Sequence, residues 1–186
     1  VAANHNISRE DQDKMGVESN RRAHEAIKAG KFKEEIIPIQ AVKYAIKNGK
    51  RVREYYTFDT DDGVRWPASL EAMGKLKSPF KAGGSVTAAN SSQMTDGAAF
   101  SMLMTAEKAK ALGLKPLAKL THYAVAGCKA EEMGVGPAYA IPKVLKMAGL
   151  TTKDIDLFEI NEAFASQAIY SCRTVGIEDR YWAGDI

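Results

Sequence analysis

Residues 157–176 constrain this chain more than any other stretch. Leu157-Phe158-Glu159-Ile160 reads as a short buried strand, and the polar pair Asn161-Glu162 breaks it. Phe164, Ala165, Ala168, Ile169, Cys172 and Val175 then recur at the i, i+3/i+4, i+7 spacing of a helix face, so a helix is expected from Glu162. Open α/β sheets place ligands at the carboxyl ends of their strands, and a helix start turns free N–H groups toward anions. Asn161 and Glu162 therefore occupy a candidate ligand position.

The stretch before it has the same alternating character. Ala118 to Ala126 predicts a strand, and Ala138 to Ala148 a helix with Pro137 at its start and Gly149 after its end. Pro142 is expected early in that helix, where its missing N–H matters least. Gly134-Val135-Gly136-Pro137 is a glycine-bearing loop with neither a Walker nor a Rossmann fingerprint. Ala98 to Met104 predicts another buried strand. Thr105 then caps a helix, Ala106 to Leu112, that stops at Gly113. Small residues dominate Ser85 to Ala99, which lets a backbone approach a second backbone or a ligand closely. Within it, Asn90-Ser91-Ser92-Gln93 supplies hydrogen-bonding side chains.

The first third reads differently. Ser8-Arg9-Glu10-Asp11 resembles a capping box, and a helix should run to about Ala29 with Met15, Ala23, Ala26 and Ile27 as its apolar stripe and Gly30 behind it. His24 in that helix reads as a solvated surface residue. Phe32 and Ile36 to Ile39 read as extended. Val42, Tyr44 and Ile46 alternate with polar residues, Asn48-Gly49 is the signal for a type I′ turn, and Val52 to Phe58 returns as a second strand. Asp59-Thr60-Asp61-Asp62-Gly63 fails the calcium-loop pattern and reads as a solvated acidic turn. A short helix is expected from Ser69 to Leu76. Arg65, Lys75, Lys77 and Lys81 are able to meet phosphates, but charge alone favours a solvated positive edge.

A net charge of +3 gives no reason to invoke nucleic acid. No apolar run approaches the roughly 18 residues of a membrane span, and the first residues have no signal-peptide core. Cys128 and Cys172 make no disulfide framework, so a reducing compartment is the default expectation. Without an initiating Met, and with no cap or tail after Tyr181, both ends read as cut from something longer.

Four ordered motifs carry a resemblance. Asn161-Glu162-Ala163-Phe164-Ala165 resembles the NEAFA motif of thiolases. Thr87 to Ala99 resembles their VTAGN-x-S-x-x-x-DGAA stretch, Met133 to Pro137 their MG-x-GP loop, and Ile7 to Asp13 their ISREDQD helix start. The resemblance implies a partial thiolase-like α/β fold. Residues 1–84 would be the family's loop region, 85–114 the last strand and helix of the N-terminal core domain, and 115–186 the first half of the C-terminal core domain. It implies acyl-CoA chemistry: thiolysis of a 3-ketoacyl-CoA to acetyl-CoA and a shortened acyl-CoA, or the reverse condensation. Coenzyme A is then a substrate, and no cofactor is expected. Asn161 matches the Asn that holds a water in an oxyanion hole, and fixed donors are what a developing oxyanion needs. Ser92 matches the Ser that bonds the pantetheine, Ala163 and Phe164 match residues of the pantetheine channel, and Arg65 matches a residue near the CoA nucleotide.

The departures are equally specific. Neither cysteine lies in a family cysteine motif, both read as structural thiols, and His122 lacks the GHP context. The nucleophile, its activating His and the second Cys are therefore missing. Ala89 also stands where Gly is common, and Gln93 where some members have a small residue. The expectation is an internal piece of a longer thiolase, inactive alone, and homodimeric or homotetrameric when full length. Its compartment would be the cytoplasm or a mitochondrial or peroxisomal matrix, not the secretory route. A non-catalytic, thiolase-like CoA-binding or scaffolding module is the alternative.

Overall fold

The structure, a computed structural model, describes residues 1–181; the closing Trp182–Ile186, read above as ending on no cap, lies outside the described residues. The elements run α1 (Arg9–Lys28), β1 (Ile39–Lys47), β2 (Lys50–Phe58), α2 (Leu70–Gly74), α3 (Ala106–Ala111), α4 (Gly136–Ala148), α5 (Ala165–Val175) and α6 (Glu178–Tyr181). Short 3-10 turns precede α4 and α5 at Ala130–Val135 and Thr152–Asp154.

The core is built on α5. Its Ala165, Ala168 and Ile169 pack against Ile7 and Met15 of the α1 region. Its Cys172 packs on the other side against Ile160 and Ile177, with Ile141 of α4 beside them. Burying one aliphatic side chain of this size is worth about 1.5–3 kcal/mol, so these contacts hold α1, α4 and α5 as one unit. The helix ends as its sequence dictates. Gly176 adopts φ 73°, and the Ile177 N–H returns to the Cys172 carbonyl at 2.9 Å while its side chain closes over the last turn.

Local signals in the first third are realised. Ser8 caps α1, its Oγ accepting from the Asp11 N–H at 2.9 Å. β1 and β2 pair antiparallel from Ile39↔Phe58 to Lys47↔Lys50, and Asn48 and Gly49 both take positive φ as a type I′ turn requires. Ser69 and Thr105 cap α2 and α3.

Of the expected apolar stripe of α1, Met15 is buried while Ala23, Ala26 and Ile27 are half-buried, and polar residues share the buried side. Gln12, Asp13, Met15 and Gly16 are its buried residues. Asp13 accepts from Arg9 Nε at 2.8 Å and from Asn90 Nδ2 at 2.9 Å. Arg9 Nη2 also donates to the carbonyls of Met73 (2.6 Å) and Leu76 (3.1 Å), so one polar cluster ties α1 to α2 and to the segment at Asn90. His24 is half-buried and stacked on Trp66 at 5.7 Å between centroids, not simply solvated.

Gly16 lets this approach happen. A Cβ there would sit 2.7 Å from the backbone oxygen of Ala89. In an open helix, Gly→Ala gains about 0.5–1 kcal/mol. Gly16→Ala is expected to do the opposite. The clash forces α1 and the Ala89 loop apart at a cost of about 1–3 kcal/mol, so urea unfolding should show a net loss of stability.

Three expected strands do not form. Ala98–Met104, Ala118–Ala126 and Leu157–Ile160 are without strand pairing, and β1 and β2 are the strands of the only sheet among the described residues. Phe100 is 97% exposed, Leu120 73% and Leu157 79%. The apolar runs are genuine, but a strand is completed by a neighbour's hydrogen bonds and by a layer over its side chains. Among the described residues no segment pairs with any of the three, and a covering layer is found at Ile160, buried against Cys172 and Ile177, with Phe158 partly buried beside it. The α5 helix begins at Ala165 rather than Glu162: Phe164 is its extended N-cap, and the Ala163 carbonyl and Ala165 N–H are tied to Ser92 and Asn90. Pro142 lies at the middle of α4, not early in it, where its absent N–H leaves the Ala138 carbonyl without its helical partner.

Candidate functional site

A cavity of about 250 Å³ opens where α1, the 61–64 turn, the 89–93 segment and the approach to α5 converge. From α1 come Met15, Gly16, Ser19, Asn20 and Ala23; Asp61, Gly63 and Val64 form a second side. Ala89 to Gln93 and the group Asn161, Glu162 and Ala165 complete the wall.

Backbone pairing brings the last two groups together. The Ser92 N–H donates to the Ala163 carbonyl at 3.0 Å, and the Ala165 N–H donates to the Asn90 carbonyl at 2.9 Å. Ser91 and Phe164 face each other in this short antiparallel bridge. Small side chains at 88–92 permit the approach, as the sequence suggests. Asn90 is itself committed to structure. It is buried, and its amide spans Asp13, the Ser85 carbonyl and the Thr87 N–H.

The five sequence-predicted residues divide. Asn161 and Ser92 both line the cavity. The Asn161 side chain is exposed and makes no hydrogen bond within the described residues, leaving its amide open to a ligand. Ala163 and Phe164 contribute backbone to the bridge and are not on the cavity wall. Arg65 is exposed and off the wall; its backbone N–H donates to Asn20 Oδ1 at 2.8 Å.

Other wall residues escaped the sequence reading because nothing local marks them. Ser19 donates to Glu162 Oε2 at 2.6 Å across a separation of 143 positions. Asn20 links Gly16 to Arg65, and the Asp61 carboxylate accepts from the Gly63 N–H at 2.8 Å. The wall carries two carboxylates, Asp61 and Glu162, and neither Lys nor Arg. Such a lining suits an uncharged, hydrogen-bonding ligand segment better than a phosphate.

The thiols and imidazoles stand apart from one another. Cys172 is fully buried under α5, and burial foremost, then the charges of Glu178 and Glu162, pushes its thiol up to about 12. Cys128 is exposed, contrary to its reading as a structural thiol, with its Sγ 3.7 Å from the Met133 carbonyl. His5 lies against Tyr170 and Glu132, His24 against Trp66, and His122 is exposed. Among the described residues no hydrogen bond joins a cysteine to a histidine. Ellman's reagent at pH 8 is expected to titrate one thiol in the native chain, Cys128, and a second only after denaturation. Two fast thiols in the native state would contradict the burial of Cys172.

Family comparison meets this geometry from the other direction. The model for the thiolase N-terminal domain matches residues 1–107, and that for the thiolase C-terminal domain matches residues 114–182. The 3-ketoacyl-CoA thiolase of Bacillus subtilis is 48% identical over 180 residues, covering 96% of this chain and 46% of that protein. Peroxisomal 3-ketoacyl-CoA thiolase B of Rattus norvegicus is 48% identical over 177 residues, 95% of this chain and 41% of that one. The crystal structure of Bacillus anthracis acetyl-CoA acetyltransferase superposes with a TM-score of 0.87 at 38% identity, over 96% of this chain and 43% of its own. The dimeric peroxisomal thiolase of Saccharomyces cerevisiae superposes at 0.79 and 38% identity, over 95% of this chain and 42% of its own. The chain thus spans somewhat under half the length of the curated relatives it matches. With both domain models matched in order and the NEAFA and VTAGN-like segments paired through one bridge, this chain belongs to the thiolase family.

Proposed function

We propose that this chain acts within a 3-ketoacyl-CoA thiolase, in thiolysis to acetyl-CoA and a shortened acyl-CoA or in the reverse condensation. The observation that carries the reading is the free Asn161 amide on the wall of a cavity it shares with Ser92. In this reading Asn161 fixes a water that donates to a developing oxyanion, and preorganised donors of this kind dominate acyl-transfer catalysis. Ser92 bonds the pantetheine arm, whose neutral amides suit a wall without cations. Ala163 and Phe164 hold the channel through their backbone. Arg65, exposed outside the cavity, meets the nucleotide end of coenzyme A. The division at 84 and 114 belongs to the same proposal, as do coenzyme A as substrate without a further cofactor and a homodimeric or homotetrameric full-length form. No helix among the described residues is long and apolar enough to cross a membrane. We place the protein in the cytoplasm or in a mitochondrial or peroxisomal matrix.

The test has two arms. Purified chain given acetoacetyl-CoA and CoA should show no thiolysis, because Cys172 is sealed and Cys128 has no hydrogen-bonded imidazole. A chimera of the Bacillus subtilis thiolase, its matched 180 residues replaced by this chain, should cleave acetoacetyl-CoA. Robust turnover by the chain alone would overturn the claim that the nucleophile lies outside it. A folded but inert chimera would overturn the proposed activity.

A further inference from the structure

Asn161 is free, but the chain on both sides of it is held. The Ile160 carbonyl accepts from the Tyr181 hydroxyl at 2.8 Å. Glu162 Oε2 accepts from Ser19 Oγ at 2.6 Å, and its Oε1 lies 3.3 Å from the same Tyr181 hydroxyl. The clamp therefore joins α1, α6 and the residues flanking Asn161, at one edge of the cavity.

We propose that Ser19, Glu162 and Tyr181 are positioning residues that fix the Asn161 amide at the cavity wall. The proposal rests on the reading of Asn161 given above. The Asn161 side chain has no hydrogen bond of its own to fix it. Its aim is set by its backbone, and two clamps one residue away on either side restrict that backbone. The Tyr181 hydroxyl is suited to the task. A tyrosine hydroxyl is protonated at neutral pH in any case, and burial foremost, then the Glu162 charge, pushes its pKa further up. Placement errors of about 1 Å can cost about 10²-fold in rate, so a loosened clamp should register in turnover.

The experiment uses the thiolase chimera with acetoacetyl-CoA and CoA. Ser19→Ala and Glu162→Ala are expected to lower kcat by about tenfold to a hundredfold while KM for CoA stays within about twofold. Ser19→Thr, which keeps the hydroxyl, should recover most of the loss. In an Asn161→Ala background, neither substitution should lower kcat further by more than about twofold, since the group they position is gone. Tyr181→Phe removes a single oxygen and gives the same reading should Glu162→Ala fail to fold. Undiminished kcat in Ser19→Ala and Tyr181→Phe, with Asn161→Ala strongly impaired, overturns the positioning role and leaves the Asn161 reading standing. Full additivity with Asn161→Ala also overturns it, because the clamp then acts on something else. An unimpaired Asn161→Ala overturns both.

Discussion

Asn161→Ala in the thiolase chimera is expected to lower kcat by about 10²–10³-fold, the usual cost of one oxyanion-hole donor, with KM for CoA little changed. The reasoning separates chemistry from folding. Asn161 is exposed and bonds to nothing within the described residues, so its amide contributes little to the folded state. Stability should therefore stay within about 0.5 kcal/mol of the parent, as for surface substitutions away from structural features. Asn161→Asp keeps the shape, but replaces the amide with a carboxylate facing the developing negative charge. It should be at least as damaging. Steady-state kinetics with acetoacetyl-CoA, paired with urea melts, checks both halves. A kcat within threefold of the parent, roughly the scatter of such measurements on a donor that does not matter, would remove Asn161 from the oxyanion hole.

Asp13→Ala is expected to give the complementary result: a loss of about 3–5 kcal/mol in folding stability, the cost of breaking a buried ion pair from one side. The Asp13 side chain is only 5% exposed, while Arg9 opposite it is 28% exposed. Removing the carboxylate strips Arg9 Nε of its acceptor and leaves a buried Asn90 amide hydrogen without a partner. Water can reach Arg9 in part, which places the expected loss at the lower end of the range. Asn90 cannot recover so easily, since its oxygen is already committed to the Thr87 N–H. Because Asn90 also anchors the bridge to Ala165, the loss should reach the cavity. Urea denaturation of the chain measures the first effect. Faster hydrogen exchange at the Ser92 and Ala165 amides measures the second. A loss below about 1 kcal/mol, the worth of an exposed pair, would mean that the cluster is solvated rather than buried.

The two substitutions show why the site was only partly legible. The sequence marked Asn161 and Ser92 through their motifs, and the structure places both on one cavity. The same motifs marked Ala163 and Phe164, whose part in the structure is carried by backbone rather than by side chains on the wall. Ser19 and Asn20 left no local signal, and Asp61 read only as part of a solvated acidic turn, where it bonds the Gly63 N–H. Ser19 and Asn20 join the site through contacts across many positions, and side-chain periodicity does not record which distant residue a hydroxyl or an amide will meet. Asp13 and Gln12 read as ordinary polar helix residues and became buried: Asp13 meets Asn90, and the Gln12 amide turns back to the Ile7 and Ser8 carbonyls.

What the sequence by itself determined is what depends on neighbouring residues. Ser8, Ser69 and Thr105 cap their helices, Asn48-Gly49 turns the hairpin, and Gly149 and Gly176 end α4 and α5 in left-handed conformations. These outcomes follow from local sterics and from hydrogen bonds a few residues long. Only the tertiary structure decided the fate of the apolar runs 98–104, 118–126 and 157–160. A strand needs a partner for its backbone and a covering layer for its side chains, and both are long-range conditions. The start of α5 was decided the same way. Glu162 and Ala163 have the pattern of a helix start, but the bridge to Asn90 and Ser92 holds Phe164 extended and delays the helix to Ala165. That delay, set by pairing between segments some 70 residues apart (a separation no local propensity spans), leaves Asn161 at the cavity wall ahead of the helix.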